Sequence, residues 1–426
     1  MPSTTRTALE TACALIDQGD IAEAITLLEQ LIATRPPSAT TLQMLGLVYA
    51  MIGNMRGAAR VMRQACVLEP DNGSLRSHLA RAEWNIGMPA QAAASYDRAI
   101  ACGCVFPELR VDYAVALQAL RQYPAALAQC EQAIAADPSY VRAWATRARL
   151  LHQQNRLDEA LACHERATTL SPSASAWSAR GITLHAMNDF KGALDCHDKA
   201  LACDREDANV WNQRGVTLAK MGQHHQALDC HFRATVLDPA LACAWSNLGA
   251  MLLQQQRGDE ALAAHDKAVS LQPSSAALWL QRGISLMMLK RDAESLASFN
   301  AAVSLDPASA MAWYYRGMVL SVEGRLPEAL ESLEEAMQLD PAFACAIMLR
   351  AEVLQLLGRD AESLTLPEQA VLATPGSHRL RPEALVDQLA HGNVADSWKN
   401  VSVVTVADAE LRYLPFRAAN PCRGAA

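Results

Sequence analysis

The pattern of apolar, small and helix-breaking positions repeats along the chain with a period of about 34 residues. Six of the eight tryptophans define this period, because they lie 33 or 34 residues apart: Trp144, Trp177, Trp211, Trp245, Trp279 and Trp313. When each of them is placed at position 4, units begin at residues 5, 39, 73, 107, 141, 174, 208, 242, 276, 310 and 344. A fixed period of this size indicates stacked copies of one supersecondary unit.

Residue types within the unit predict two helices joined by a short turn. Position 8 is Gly or Ala in every unit and position 20 is Ala or Ser, so two antiparallel helices can cross closely there. Position 15 holds Gly or Asn in most units, and both residues tolerate the left-handed backbone that ends a helix. Pro at position 32 stops the second helix in most units. We therefore expect helix A over about positions 1–14 and helix B over about positions 18–30.

These positions resemble the tetratricopeptide repeat (TPR) family, whose pattern W-x2-L-G…A…P appears as Trp245–Gly249, Ala261 and Pro273. The resemblance implies an all-α, right-handed superhelix of about eleven helix-turn-helix repeats over residues 5–377. It also implies that helix A lines a concave face, through its positions 2, 5, 6, 9, 12 and 13, which we call the inner positions. Residues 378–426 break the frame. We expect them to form a C-terminal extension, which either caps the last repeat or fills the groove.

The composition narrows the classes of function. Apolar residues make up 51% of the chain and charged residues 19%, so it can bury a large core. A net charge of −8 argues against a nucleic-acid-binding surface, which needs concentrated Lys and Arg. The sequence shows neither a signal peptide nor a membrane-spanning segment, so no membrane insertion is expected. Twelve cysteines without an export signal predict reduced thiols and a cytoplasmic protein.

No motif for catalysis is found: the chain has no Gly-rich phosphate loop, HExxH, paired CxxC or GxSxG. We predict no enzymatic activity, no cofactor and no metal. Histidine recurs at position 24, as His164, His197, His231 and His265. A metal or haem array is the alternative interpretation, but neighbouring helices lie about 8–10 Å apart, too far for one zinc ion to bridge. We expect neutral packing histidines, and expect the arginines at position 7 to form inter-repeat ion pairs or to be solvated.

The leading hypothesis is a non-catalytic scaffold that binds a peptide, a helix or a protein, including a second copy of itself. The expected site is the set of inner positions, which are apolar near the C-terminal end and polar in the middle. The predicted partner-binding residues are Leu280, Ile284, Met287, Met288, Met311, Tyr314, Tyr315, Met318, Arg149, Asn212, Gln213, Asn247 and Gln281. Alternatively, the apolar ones pack between helices or are covered by residues 378–426.

A rival hypothesis is the recognition arm of a system similar to the O-linked N-acetylglucosamine transferases, a family with a ladder of concave asparagines. It depends on three amides at position 6 of successive units, Gln213, Asn247 and Gln281.

Overall fold

The computed structural model describes residues 3–34 and 36–363, which form α-helices joined by short turns and contain no strand. The prediction of an all-α repeat fold is confirmed, because consecutive helices pack against each other within residues 3–220 and again within residues 242–363. The predicted domain boundary at residue 377 and the segment 378–426 lie outside the described residues. The number of repeats stays a prediction.

The helices alternate between the two types that the repeat pattern predicts. The A helices are α1 (Ser3–Gln18), α3 (Ala39–Met51), α5 (Gly73–Asn85), α7 (Pro107–Ala119), α9 (Val141–Gln153), α11 (Ala174–Ala186), α13 (Ala208–Lys220), α15 (Ala242–Gln254), α17 (Ala276–Met288), α19 (Ala310–Val322) and α21 (Ala344–Leu356). The B helices are α2 (Ile21–Thr34), α4 (Met55–Leu68), α6 (Pro89–Ala101), α8 (Tyr123–Ala136), α10 (Leu157–Leu170), α12 (Phe190–Cys203), α14 (His224–Leu237), α16 (Gly258–Leu271), α18 (Asp292–Leu305), α20 (Leu326–Leu339) and α22 (Asp360–Ser363).

The chain divides into two units within α14: the first ends at Cys230 and the second begins at His231. In the first unit, buried alanines fill much of the space between helices, as Ala80, Ala92 and Ala126 do. In the second unit, a larger core of aromatic and branched residues surrounds Phe299 and Leu333. None of the helices described is long and apolar enough to cross a membrane.

Helix A ends at a left-handed residue at position 15. Gly53 has a φ of +77°, and the amide of the next residue, Asn54, donates to the Tyr49 carbonyl at 2.8 Å. This bond closes the helix end in the manner of a Schellman turn. Three units adopt the same backbone without Gly or Asn, at Arg121, Gln256 and Lys290.

The close crossing of helices A and B depends on the absence of a side chain at position 8. A Cβ atom built on Gly249 would lie 2.5 Å from His265 Nε2, and one on Gly283 would lie 2.5 Å from Phe299. Both partners occupy position 24 of the same repeat. The small residues therefore make room for the ring at position 24, as the sequence predicts for an antiparallel crossing.

Candidate functional site

The arginines at position 7 join each repeat to the one before it. In Arg282, Nε donates to Asp266 at 2.6 Å on the preceding helix B, and Nη1 donates to Ser298 at 2.7 Å on its own helix B. The same two directions recur at Arg147, with Glu131 and Cys163. Arg180 and Arg350 reach the preceding acid, Glu165 and Glu334. These guanidinium groups are engaged within the fold, so we do not assign them to a partner.

The tryptophans at position 4 also support the repeat stack. Each indole N–H donates to the backbone carbonyl six residues earlier, at 2.8–3.0 Å, in Trp144, Trp211, Trp245, Trp279 and Trp313. In some repeats the arginine at position 7 lies over this ring, as Arg282 does over Trp279 at 5.8 Å and Arg316 over Trp313 at 5.6 Å. Such cation–π contacts add to the packing of the ring.

The histidines at position 24 are His164, His197, His231 and His265, and all are buried. Desolvation lowers their pKa values to about 4, and to about 3 for His231, so they are neutral near pH 7. His265 Nδ1 lies 2.6 Å from Ser285 Oγ, and its Nε2 lies 3.2 Å from the Ser246 carbonyl oxygen. Among the residues that the structure describes, no three His, Cys, Asp or Glu side chains are grouped to hold a metal ion. The contacts of His265 support the packing interpretation.

Several inner positions of the first unit carry polar side chains that bond from repeat to repeat. Asp112 accepts hydrogen bonds from Arg81 at 2.9 Å and from Arg142 at 2.7 Å, so one carboxylate lies between two guanidinium groups. His152 pairs with Thr183 at 3.2 Å across the next repeat. This surface is therefore tied together by its own side chains.

The polar residues of the predicted site lie on four different A helices. Arg149 is exposed on α9. Asn212 is buried and Gln213 half-buried on α13, two repeats further along the chain. Asn247 and Gln281 are half-buried on α15 and α17. The transferase alternative still depends on these half-buried amides alone.

Three apolar residues of the predicted site belong to the core of the second unit. Ile284, Tyr314 and Tyr315 are buried. The Tyr315 ring stacks on Phe299 with centroids 5.6 Å apart, and the Tyr314 ring lies 5.0 Å from that of Phe343. Their rings fill the space between successive repeats, which was the alternative interpretation for these side chains. They are not available as exposed anchors for a partner.

The remaining apolar residues lie at the surface of that core. Leu280, Met287, Met311 and Met318 are half-buried and pack with one side against it. Met288 is 63% exposed. Val322 and Leu356, which are not among the predicted partner-binding residues, are 70% and 62% exposed. Met288, Val322 and Leu356 all occupy position 13, at the ends of α17, α19 and α21, and we call them the apolar stripe. Reading position 13 through every unit would have identified it.

Protein-family models described as "Tetratricopeptide repeat" match most of the chain. They cover residues 9–74 and 248–310, 107–181, 198–229 and 310–343. No curated protein matches the chain significantly.

Several solved structures are similar to the chain. The APC/C hetero-tetramer Cut9-Hcn1 is 16% identical, with 88% of this chain and 82% of that chain covered and a TM-score of 0.51, which supports the fold. YrrB, a TPR protein with an unusual peptide-binding site, is 24% identical over 42% of this chain and 93% of its own, with a TM-score of 0.36. Yeast Tom70 is 14% identical over 96% of this chain and 100% of its own, with a TM-score of 0.44.

Proposed function

Because the chain belongs to the tetratricopeptide repeat family, we propose that it is a non-catalytic scaffold that binds another protein on the A-helix surface of its second unit. The observation that carries this proposal is the apolar stripe, with its half-buried methionine neighbours. The expected partner presents the apolar face of a helix or of an extended peptide.

The side chains on this surface suit a binding site better than a solvated one. Met288, Val322 and Leu356 lie at equivalent positions of consecutive A helices, so their exposed groups follow one line. Half-buried Met287 and Met318 flank them. Methionine adapts to the shape of a partner because its side chain is unbranched and flexible. Without a partner, this row of large apolar groups would stay in contact with water, which is energetically unfavourable.

The polar inner positions of the first unit are less suited to be the main site. Asp112 already neutralises part of the charge of Arg81 and Arg142, and His152 is bonded to the next repeat. A partner that bound there would have to replace these bonds. Its affinity would reflect only the interaction free energy gained beyond that of the bonds it breaks.

The proposal is tested by capturing proteins from an extract of the cells that make this protein, with the double variant Met288→Glu and Val322→Glu. Two buried charges at the contact should weaken capture of the main partner by about 10-fold or more. Met51→Glu is the matched control, since Met51 also occupies position 13 and is 64% exposed, but on α3 of the first unit.

The fold should survive these changes, because both side chains point into solvent; circular dichroism and a thermal melt check this. If the soluble, helical double variant captures its partner as the wild type does, the proposed surface is wrong. The polar inner positions around Arg149 and Asn212 would then be the next candidate.

A further inference from the structure

We propose that residues 401–416 of this same chain bind the apolar stripe and compete there with the external partner. This inference rests on the proposed function, since it concerns the regulation of the same surface. It is carried by the location of the stripe, by the length of chain that follows the described residues, and by the apolar character of that segment.

The three residues of the stripe lie in the last three repeats of the described chain. Position 13 is polar, charged or small in the six units before it: Asn85, Ala119, Gln153, Ala186, Lys220 and Gln254. It becomes a large apolar residue in three consecutive units, through to Leu356 on α21. α22 packs against α21 and ends at Ser363. The described residues therefore end close to the helix that carries the last residue of the stripe.

The segment can reach the whole stripe. Three neighbouring A helices at about 10 Å spacing place the outer two residues about 20 Å apart. An extended chain advances about 3.3 Å per residue, so about six to seven residues of the segment suffice to cover that distance. Residues 364–400 connect the segment to Ser363, and a random coil with that number of residues would already span about 35 Å.

The sequence of the segment complements the stripe. Residues 401–407, VSVVTVA, contain no charged side chain, and the segment continues with Leu411, Tyr413, Leu414 and Phe416. Branched aliphatic and aromatic side chains gain most from leaving water when they meet an apolar surface. The segment therefore has the chemistry that we expect of the external partner.

The covalent connection makes even weak contacts effective. A tethered segment acts at an effective concentration of about 1 mM. With an intrinsic dissociation constant of about 100 μM, it would occupy the stripe about 90% of the time and lower the apparent affinity for a competitor about 10-fold. A partner must then displace the segment before it binds, which gives the chain a means of rejecting weak ligands.

The first experiment identifies the occupant by photo-crosslinking. Benzoylphenylalanine replaces Val322 in the full-length chain, and in a control it replaces Val236, which is 61% exposed on α14. Light and isotopically heavy chains are mixed, so that mass spectrometry separates links within one chain from links between two. We expect links from position 322 to residues 401–416 within one chain. Links only between chains, links only to other segments, or a yield no higher than from position 236 would overturn the inference.

The second experiment measures competition with a defined probe, a labelled synthetic peptide of residues 401–416. The full-length double variant Val403→Asp and Val404→Asp should bind this peptide about 10-fold more tightly than the wild type does, because its own segment no longer competes. Adding Val322→Glu should abolish that binding. Equal affinities for wild type and double variant, or binding that survives Val322→Glu, would reject the inference.

The outcomes separate the inference from the proposed function. If the stripe variants lose their partner but neither experiment detects residues 401–416, the inference fails and the function stands. If the segment binds the stripe but the stripe variants capture the partner normally, the proposed function fails.

Discussion

Lys290 occupies the left-handed turn position that six other repeats fill with glycine, at a φ of +58°. This conformation brings the Cβ atom close to the following carbonyl and costs about 1–2 kcal/mol, which glycine avoids at some cost in chain entropy. We expect Lys290→Gly to raise the free energy of unfolding by about 0.5–1 kcal/mol, measured by urea denaturation. Lys290→Ala keeps the strain and should change little. A lower midpoint for the glycine variant than for the alanine variant would contradict this account.

Gly249 gives a second test at the same scale, because any side chain there meets the His265 ring. Gly249→Leu should overpack the crossing of α15 and α16 and lower the free energy of unfolding by about 1–3 kcal/mol or more. Ala263→Leu, at an exposed site of α16, is the control and should be nearly neutral. An unchanged denaturation midpoint for Gly249→Leu would reject the register of the repeat.

Residue types predicted the turns and crossings but not every role. The small residues at position 8 and the glycines at position 15 were identifiable because only such residues fit those backbones. The positions of Tyr314 and Tyr315 were not, since a ring at an inner position either lies on the surface or fills the space between repeats. The size of the neighbouring side chains decides between the two, and Phe299 and Phe343 lie on different elements.

At the scale of the element, Arg282 links three helices by contacting Asp266 on α16 and Ser298 on α18 from its place on α17. Arg282→Leu should cost about 1–2 kcal/mol, mainly because the buried Ser298 hydroxyl loses a donor. Asp266 is half exposed, so its ion pair contributes less. Urea denaturation measures the effect.

The chain supplies its own control for this link, because Leu248 and Phe232 occupy the equivalent positions one repeat earlier. We expect the double variant Asp266→Phe and Arg282→Leu to lose less stability than the sum of the single variants, by about 0.5 kcal/mol or more. Strict additivity would show that the two positions are independent.

Helix ends were predictable to within one or two residues, because glycine and proline mark them. The exposure of position 13 was harder to infer, since it depends on the side chains of the neighbouring repeats. Val322 is an example, because its residue type does not indicate that it is exposed, and only its position in the repeat could have predicted this.

At the scale of the whole molecule, the buried histidines should make the fold sensitive to acid. Their pKa values are about 3–4 in the folded chain and about 6.5 when unfolded, so the unfolded state binds more protons between these values. Stability is therefore fully present above about pH 6.5 and falls as the pH is lowered towards 4. The loss of folding free energy per histidine is at most about 3–5 kcal/mol, with the largest value for His231.

His265→Phe tests this prediction, because Phe299 shows that the same site of the next repeat accepts a phenyl ring beside a glycine. The difference between urea midpoints at pH 7.5 and pH 5 should shrink in His265→Phe and grow in Phe299→His. Identical differences in both variants and the wild type would show that these rings do not govern acid sensitivity.

The arginine links have a mechanical consequence. Arg282 and Arg316 each bond the helix B before them and the helix B of their own repeat, so a repeat cannot leave the stack without breaking two such links. Under a stretching force these repeats should unfold one at a time. Each event would release 34 residues, about 110 Å of extended chain. Leu248 takes the place of the arginine in the repeat that begins at residue 242 and cannot form such a link. That repeat should therefore unfold at a lower force than the repeats that begin at residues 276 and 310.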